Sequence, residues 1–522
     1  MQQSLLTILI LLPVVGAVAV AAHGLAKYAK PSHYRWVALG FSVATFFLSL
    51  LLLGGGGGAG TQSALSFEQN TVWIAAINAN YHVGVDGISL WLVLLTTLLV
   101  PIAILSSWHA VEKREMAFYA FILLLESAMI GVFVSLDLLL FYLFFEASLV
   151  PMFFLIGVWG GERRIYAAGK FFVYTALGSL LMLAGIIALW YVFKTFDYTL
   201  ILAAMRDGTA RLPDNWSVWE FWLFLAFAFA FCIKVPVFPF HTWLPDAHTE
   251  APTAGSVLLA GVMLKMGTYG LLRFNFALFP DMTRRFAWVF IVIAIIGIIY
   301  GALVAMVQPD VKRLVAYSSV SHMGFILLGM FSFTEQGMQG ALYQMLNHGV
   351  STGALFLLVG MIYERRHTRM ISEFGGLSKP MPWFATLLVI TSLSSVGLPL
   401  LNGFVGEFLI MLGMWTTQFA YASWLNPRVA TMLAATGVIW AAVYMLWMLQ
   451  RVLFGRVTNE KNRRLTDLSA REIALLLPLL ALMLYMGAYP RPFLERSRLS
   501  INEVRVRVVA TDTQGVVRAD PE

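Results

Sequence analysis

The sequence predicts an all-α polytopic membrane protein, and two observations carry this prediction. The 522 residues are 59% hydrophobic and only 12% charged, whereas soluble domains carry roughly a quarter charged residues. Apolar runs of about the 20 residues needed to cross a bilayer recur from the start of the chain to residue 489. Because hydrocarbon offers the backbone no hydrogen-bond partner, we expect each run to be a helix.

The runs divide the chain into about fourteen predicted transmembrane helices. No basic region precedes the first run, so we expect a retained helix rather than a cleaved signal peptide. The seventh and twelfth runs contain internal proline and are predicted to be discontinuous. The predicted helices lie near 4–22, 34–53, 87–108, 116–135, 138–158, 168–193, 219–240, 253–275, 286–307, 311–331, 338–362, 383–415, 430–451 and 472–489.

Basic residues concentrate in alternate loops. Lys113, Arg163, Lys312 and Arg369 belong to this set, and an excess of lysine and arginine marks cytoplasmic loops. Both chain ends are therefore predicted on the outer (periplasmic) face, and residues 491–522 are expected to form an exposed C-terminal tail. We attribute the net charge of +7 to loops facing an anionic leaflet rather than to nucleic-acid binding.

Ionisable residues within the apolar runs are the strongest functional signal. An ionisable group at mid-bilayer costs about 2.5–3.5 kcal/mol, so such groups mark proton, ion or substrate paths. A buried structural ion pair is the alternative for any one of them, but repeated burial of both signs favours a path. The set comprises Glu126, Glu146, Lys234, Lys265, His322, His348 and Glu407.

The positions of these residues indicate an internal repeat. Glu146 precedes Lys234 by nearly the same interval as His322 precedes Glu407. Helices four to eight and nine to thirteen would then form two five-helix repeats, inverted because five is odd. The predicted domains are the N-terminal helices at 1–110, the repeats at 111–276 and 283–455, a loop with the last helix at 456–490, and the tail at 491–522.

Prolines account for the first predicted break. Pro236 and Pro239 remove backbone donors after Lys234, so we expect freed carbonyl groups to point at the ammonium group. In the second repeat the helix breaks at the sequence GLP, and Glu407 follows the break. A charge beside each break favours a midplane site over helix packing alone.

The loop after the seventh helix contains candidate metal ligands, but it does not predict a metal site. His241, Asp246, His248 and Glu250 lie there among proline and threonine residues, where capping and turn formation are sufficient reasons for them. The single cysteine, Cys232, excludes thiolate-held iron–sulfur clusters on this chain.

Four stretches of the sequence carry a family resemblance. They are FPFHTWLPDAHTEAPTAGSVLLAGVMLKMGTYGLLRF at 238–274, FYLFFEASLVPMFFLIGVWG around Glu146, YSSVSHMGF around His322 and NHGVSTGALF around His348. These stretches resemble the antiporter-like M-type subunits of respiratory complex I, the proton-translocating NADH:quinone oxidoreductase. The resemblance spans nearly all predicted helices, and HTWLPDAHTEAP favours the M-type over the related L-type and N-type subunits.

The resemblance implies roles for the buried residues. It implies that Glu146 and Lys234 form a controlling charged pair and that Lys265 is the central lysine. His322 and His348 would be relay histidines, and Glu407 the terminal carboxylate. Glu126 has no counterpart in the family pattern, and we interpret it as a structural group held by a hydrogen bond.

The resemblance also implies where the redox chemistry takes place. FMN, iron–sulfur clusters and quinone are expected on partner subunits, with no cofactor or metal on this chain. The implied partners are other membrane-arm subunits, including L-type and N-type subunits, together with membrane lipids and protons, and the implied location is the bacterial inner membrane. The alternatives are a subunit of a multisubunit Mrp-type cation/proton antiporter, a membrane-bound hydrogenase subunit, or a passive scaffold, which the buried charges disfavour.

Overall fold

The computed structural model describes residues 4–24, 31–55, 65–209, 211–457 and 459–516, and α-helices dominate them. The helices of the first half are α1 (Leu5–Gly24), α2 (Pro31–Ser49), α3 (Ser89–Ser106), α4 (Glu115–Val134), α5 (Leu138–Ala147), α6 (Leu149–Trp159), α7 (Arg164–Phe193), α8 (Tyr198–Arg206), α9 (Trp216–Lys234) and α10 (Trp243–Glu250). Those of the second half are α11 (Thr253–Leu258), α12 (Leu264–Gly270), α13 (Phe276–Leu278), α14 (Pro280–Arg285), α15 (Ala287–Met306), α16 (Val311–Met330), α17 (Glu335–Arg366), α18 (Pro382–Val396), α19 (Asn402–Thr416), α20 (Pro427–Leu453), α21 (Glu460–Arg463), α22 (Ala470–Ala488) and α23 (Arg491–Val516).

Helices α11, α12 and α13 are parts of one membrane span, Thr253–Leu278, which we call the central span. Two π-helical segments, Leu259–Met263 and Leu271–Asn275, separate its α-helical parts. The central span and α17 are both wholly buried over their most apolar 18 residues. These two helices therefore form the middle of the molecule, and the remaining helices surround them.

Twelve helices in the described ranges are long and apolar enough to cross a membrane, so the chain is a multi-pass membrane protein. The predicted number was fourteen, and polarity and length explain the difference. Helix α16 has a membrane-spanning length but contains Lys312, Arg313, three serines and His322. The predicted span 383–415 is divided between α18 and α19, each too short to cross alone.

The chain is discontinuous at both predicted positions. Helix α9 ends at Lys234, and α10 begins only at Trp243. Helix α18 ends at Val396, the following Gly397 has a left-handed φ of 86° that favours glycine, and α19 begins at Asn402. Both breaks lie next to the residues that the sequence marked as functional.

A β-hairpin corrects the prediction that the fold is all-α. Strands β1 (Ser66–Ile74) and β2 (Ala79–Val85) pair in antiparallel register, with Asn70 opposite His82. The His82 carbonyl accepts a hydrogen bond from the Leu136 amide at 2.9 Å, which fixes the hairpin beside the end of α4. We call this end of the helix bundle the hairpin face.

The hairpin also has a buried polar anchor. His82 lies between two carboxylates, with 2.8 Å from Nδ1 to Asp197 and 2.9 Å from Nε2 to Glu68. Burial disfavours the imidazolium ion, but hydrogen bonds and charge from Asp197 and Glu68 outweigh this effect and raise the pKa of His82. The hairpin is thereby joined to the start of α8.

The region after Pro490 corrects a second prediction. Residues 491–516 form α23, not an exposed arm, and Ile501, Val504 and Val508 are buried. The Ser500 hydroxyl accepts a hydrogen bond from the Gly87 amide at 3.0 Å, so α23 packs across the hairpin face. Its charged residues misled the sequence prediction because they alternate with an apolar stripe. The remaining residues, 517–522, lie outside the described ranges.

The opposite end of the bundle contains most of the basic loop residues, and we call it the basic face. Arg369 forms an ion pair with Asp310 at 3.2 Å, and the Trp159 indole donates to the Lys113 carbonyl at 2.7 Å. Lys312 donates to the Ala251 carbonyl. These contacts join the loops around α6, α10 and α17 into one surface.

Candidate functional site

Lys265 is fully buried at the middle of the central span, two residues after the end of the first π-helical segment. A π turn widens the helix and is frequent at functional sites. The Lys265 side chain folds back along this turn, and Nζ donates to the carbonyl of Ala260. The lysine is thus held inside the protein, away from lipid.

His348 of α17 is the second partner of Lys265. Its Nδ1 lies 2.7 Å from Lys265 Nζ. The two helices approach this closely because glycines face each other: a Cβ atom on Gly349 would lie 2.9 Å from the Gly261 carbonyl oxygen. Small residues at helix contacts serve the same purpose in other membrane proteins.

His322 of α16 is the next residue of this polar series, beyond His348. The two imidazole rings are 5.8 Å apart between centroids. A polar cavity of about 10 Å³ lies between them, bordered also by Asn347 and Ser351. A volume of about 10–15 Å³ holds one water molecule, so this cavity has room for a single bridging water.

Glu407 of α19 is the last residue of this polar series. Its Oε1 lies 3.1 Å from His322 Nδ1 and accepts a hydrogen bond from Gln344 Nε2, also at 3.1 Å. The other His322 nitrogen, Nε2, lies 3.2 Å from the Ser395 hydroxyl. The structure therefore joins four of the six predicted residues into one buried polar axis, which runs from Lys265 through His348 and His322 to Glu407.

Neutral polar residues surround this axis, and the sequence prediction missed them. Ser351 and Ser394 hydroxyls are 2.8 Å apart, and Asn347 donates to the Asn402 carbonyl at 2.8 Å. The residues that form this network are Gln344, Asn347, Ser351, Ser394, Ser395 and Asn402. Polar residues at three- and four-residue intervals in α17 were the available signal.

Glu146 and Lys234 form a separate site in the first half. Lys234 Nζ makes no hydrogen bond to any described residue and lies 4.7 Å from the centre of the Phe145 ring. Glu146 lies beside Ser179 of α7 and within electrostatic range of Lys234. The prediction that freed carbonyl groups hold the ammonium group is wrong, because the aromatic face of Phe145 takes that place.

Glu126 differs from the interpretation given to it. The residue is fully buried in α4, and neither carboxylate oxygen has a hydrogen-bond partner among the described residues. The structural hydrogen bond expected for it is therefore not found. Glu126 also has no described contact with the polar axis.

The four residues of the loop motif have separate partners. Asp246 pairs with Lys170 at 2.7 Å, and Glu250 accepts from the Arg163 amide at 2.9 Å. His241 lies 3.3 Å from the Tyr300 hydroxyl. His248 is fully buried and stacks on Phe356 of α17, 4.7 Å between ring centres. Within the described ranges no group of three such side chains could hold a metal ion.

A large cavity opens at the basic face. It has a volume of about 690 Å³ and is bordered by charged side chains of both signs, including Glu250, Lys312, Glu364 and Arg369. Val359 and Gly360 of α17, which follow Phe356, also border this cavity. Water in this cavity would approach the middle of the molecule from the basic face.

The fold and the site together define a class of protein: a polytopic membrane protein with discontinuous helices and a buried axis of ionisable groups, as in transporters of protons and cations. Residues 135–433 match the family described as NADH:quinone oxidoreductase/Mrp antiporter, TM, and residues 61–135 match NADH-ubiquinone oxidoreductase chain 4, amino terminus. The chain belongs to the NADH:quinone oxidoreductase/Mrp antiporter family.

Individual relatives agree with this family. NADH-quinone oxidoreductase subunit M of Rhodobacter capsulatus is 46% identical over 496 residues, 94% of each chain. NADH-ubiquinone oxidoreductase chain 4 of Marchantia polymorpha is 40% identical over 497 residues, 95% of this chain and 96% of its own length.

Solved structures of related assemblies share the fold. A chain of respiratory complex I from Thermus thermophilus is 32% identical, with a TM-score of 0.84 over 96% of this chain and 99% of that chain. A chain of the Mrp complex from a Dietzia species has a TM-score of 0.81, with 97% of each chain covered, at 19% identity. The second likeness concerns the fold alone.

Proposed function

We propose that this chain is a proton-translocating membrane-arm subunit of NADH:quinone oxidoreductase. The contact between Lys265 Nζ and His348 Nδ1, within a buried axis that ends at Glu407, carries this proposal. An amine and an imidazole at 2.7 Å can exchange a proton directly, and a bridging water can extend the transfer to His322. The family membership and the relatives named subunit M support the same function.

The catalytic roles follow the order of the axis. Lys265 holds the proton at the centre of the membrane, His348 and His322 pass it on, and Glu407 receives it. Glu146 controls the charge of Lys234 in the first half, because a nearby carboxylate stabilises an ammonium group. The chain has the role of a subunit of the enzyme, and its own residues carry protons rather than electrons.

The remaining assignments concern the surroundings of the chain. Redox cofactors, which are FMN, iron–sulfur clusters and quinone, belong to partner subunits, and L-type and N-type subunits are neighbours in the membrane. The protein lies in the bacterial inner membrane with the hairpin face outside, as the basic loops at the other end favour. The two five-helix units, 111–276 and 283–455, are inverted repeats of each other.

A subunit of an Mrp-type antiporter is the second candidate. The family matched by residues 135–433 includes Mrp antiporters, and the Dietzia Mrp chain shares the fold over nearly the whole chain. The higher identity to subunit M relatives favours the oxidoreductase. The composition of the purified assembly separates the two candidates.

Replacement of Lys265 tests the proposal. We expect Lys265→Ala to leave the complex assembled, because the side chain makes no ion pair with a described carboxylate, and to reduce proton translocation strongly. The measurement is NADH-driven proton uptake by inverted vesicles, normalised to assembled complex. Lys379→Ala, which removes an exposed loop lysine, is the matched control and should pump normally. Normal pumping by an assembled Lys265→Ala complex would count decisively against the proposal.

A further inference from the structure

Arg273 is a second buried cation on the central span, and the polar axis does not use it. It lies in the second π-helical segment, eight residues after Lys265. Its Nη2 is 2.7 Å from Asp86 Oδ2, and both side chains are less than 10% exposed. Asp86 is in turn fixed by the Ile88 and Ser89 amides at the start of α3.

Tyr269 lies between Lys265 and Arg273 on the central span, four residues from each. It follows Lys265 by one helical turn and is fully buried. Its hydroxyl lies 3.3 Å from Arg273 Nε and 3.0 Å from the Phe133 carbonyl oxygen. Polar side chains therefore continue from the central lysine toward the hairpin face, in a direction that leads away from His348.

A cavity lies beyond Arg273 at the hairpin face. Its volume is about 150 Å³, and Asp86, Arg273, Arg206, Glu503 and Arg507 border it. That volume holds several water molecules. The side chain of Arg206 is 72% exposed, so the cavity extends from the protein surface inward to the Asp86–Arg273 pair.

The polar residues between Lys265 and the hairpin-face cavity would allow protons to leak if nothing blocked them. Lys265 Nζ contacts His348 and the Ala260 carbonyl, and water beside Tyr269 would give its proton a second route, toward the hairpin-face cavity. An arginine stays charged in a protein and cannot pass a proton on. A fixed positive charge in a narrow passage also repels protons and other cations, as an arginine does in water channels.

We propose that the Asp86–Arg273 pair is an electrostatic barrier that keeps protons on Lys265 from exchanging with the hairpin-face cavity. Arg273 supplies the repulsive charge, and Asp86 holds the guanidinium across the passage. The barrier directs the lysine proton to His348, so Arg273 is a positioning residue for coupling and not a carrier. This inference rests on the proposed role of Lys265 in proton transfer.

A purely structural role is the competing explanation. Burial opposes a charge on Asp86, but Arg273 outweighs it and holds the pKa of Asp86 below its usual range. A buried ion pair is nevertheless weak evidence for stability, since desolvation offsets most of the attraction. The two explanations differ in proton permeability when the enzyme is idle, which a structural pair does not affect.

The test measures passive proton leak through the whole complex in liposomes without NADH, driven by a potassium diffusion potential. We expect Arg273→Met combined with Asp86→Asn, which leaves no unpaired buried charge, to leak several-fold faster than the native complex. The protons pumped per NADH should fall, while NADH oxidation in uncoupled membranes stays unchanged. Arg273→Lys keeps a cation but one that can release a proton, so it should leak more than the native complex and less than the double variant. Arg206→Gln, at the mouth of the same cavity, should leak no more than the native complex.

Three outcomes overturn the proposal. They are a double variant as tight as the native complex, a leak that persists after Lys265→Ala is added, and an Arg206→Gln variant as leaky as the double variant. If the double variant does not assemble, Asp86→Glu displaces the guanidinium while keeping the pair, and a leak unchanged from native has the same meaning. These results are independent of the pumping assay with Lys265→Ala alone, which tests the proposed function.

Discussion

At the scale of single residues, Lys234 contrasts with Lys265. Lys265 has a hydrogen-bonding histidine beside it, whereas Lys234 Nζ has only aromatic rings within reach and the charge of Glu146 nearby. Phe145 and Phe171 can stabilise the ammonium form through their faces, and neither can accept its proton. Release from Lys234 therefore requires water or a group that moves.

Arginine at position 234 tests whether this site needs a charge or a removable proton. Guanidinium keeps its charge because its pKa stays above about 12 in proteins, and it stacks on aromatic rings as well as ammonium does. We therefore expect Lys234→Arg to assemble better than Lys234→Ala, and both variants to pump poorly. The measurement is proton uptake by vesicles per assembled complex. Full pumping by the arginine variant would mean that Lys234 is only a fixed charge.

The four residues of the polar axis could be found from the sequence because an ionisable residue in an apolar run is conspicuous. Their neutral partners could not. Gln344, Asn347 and Ser351 cost far less to bury than a charge, so single neutral residues in a membrane helix carry little information. Their meaning depends on α19, which the broken helix brings against α17. Sequence alone does not give that contact.

At the scale of elements, the second break depends on one glycine. Gly397 ends α18 with a φ of 86°, and a Cβ atom there would lie 3.1 Å from Glu407 Oε2. A residue other than glycine costs roughly 1–2 kcal/mol in this left-handed conformation. We expect Gly397→Ala to lower thermal stability and to reduce pumping by displacing Glu407.

Gly169→Ala is the matched control for that change. No heavy atom lies within 4 Å of the Cβ position at Gly169 in α7, and alanine favours a helix over glycine. This variant should keep or gain stability with normal pumping. Melting temperature and proton uptake of both variants give the comparison. A Gly397→Ala protein with native values of both would show that the break tolerates a side chain.

The hairpin was missed because its two strands lie between strong helix signals. The buried His82, which anchors the hairpin, makes the stability of the hairpin depend on pH. A raised pKa means that the His82 contribution is fully present below about pH 6.5, the usual histidine pKa, and is lost as pH rises through the folded-state value. We expect amide hydrogen exchange in Ser66–Val85 to show weaker protection as pH increases past neutrality, after correction for intrinsic rates.

His82→Gln removes the titration and serves as the control. Glutamine can still donate to Asp197 but carries no charge, so protection should be weaker at low pH and nearly independent of pH. Protection that changes equally in the native protein and the variant would assign the effect to another group.

At the scale of the whole molecule, the two halves are unequal. The second half holds a connected axis from Lys265 to Glu407, while the pair Glu146 and Lys234 is isolated in the first half. An input of energy is needed to move a proton in one direction, and no redox ligand set was found in the sequence. We expect that input to come from neighbouring subunits, through a change in charge or conformation.

The composition of the native assembly tests this view of the whole molecule. If the chain belongs to NADH:quinone oxidoreductase, a tagged chain should co-purify with flavin and with iron and acid-labile sulfide. An Mrp-type assembly should contain neither, although it would share this fold. Flavin fluorescence and metal analysis of the purified complex are sufficient measurements. An intact assembly without flavin and iron would favour the antiporter.

The sequence predicted a multi-pass helical protein and the position of both breaks because hydrophobicity and proline act locally. The number of spans was less certain for a physical reason: α16 is shielded from lipid by its neighbours, so it tolerates serines and two basic residues. The packing of α23 depends on surfaces that only the assembled fold creates, such as the pocket at Gly87 that admits the Arg496 backbone.

The π-helical segment Leu259–Met263 affects how the number of residues before Lys265 sets the orientation of its side chain. A π turn contains one residue more than an α turn needs, so shortening the segment by one residue would let it relax into a regular helix. Because the wider turn absorbs the extra residue, everything after it would keep nearly the same orientation about the helix axis, and Lys265 would still face His348. A one-residue deletion inside this segment should therefore be tolerated far better than one in an α-helical part of a membrane span, where each residue removed rotates everything after it by about 100°.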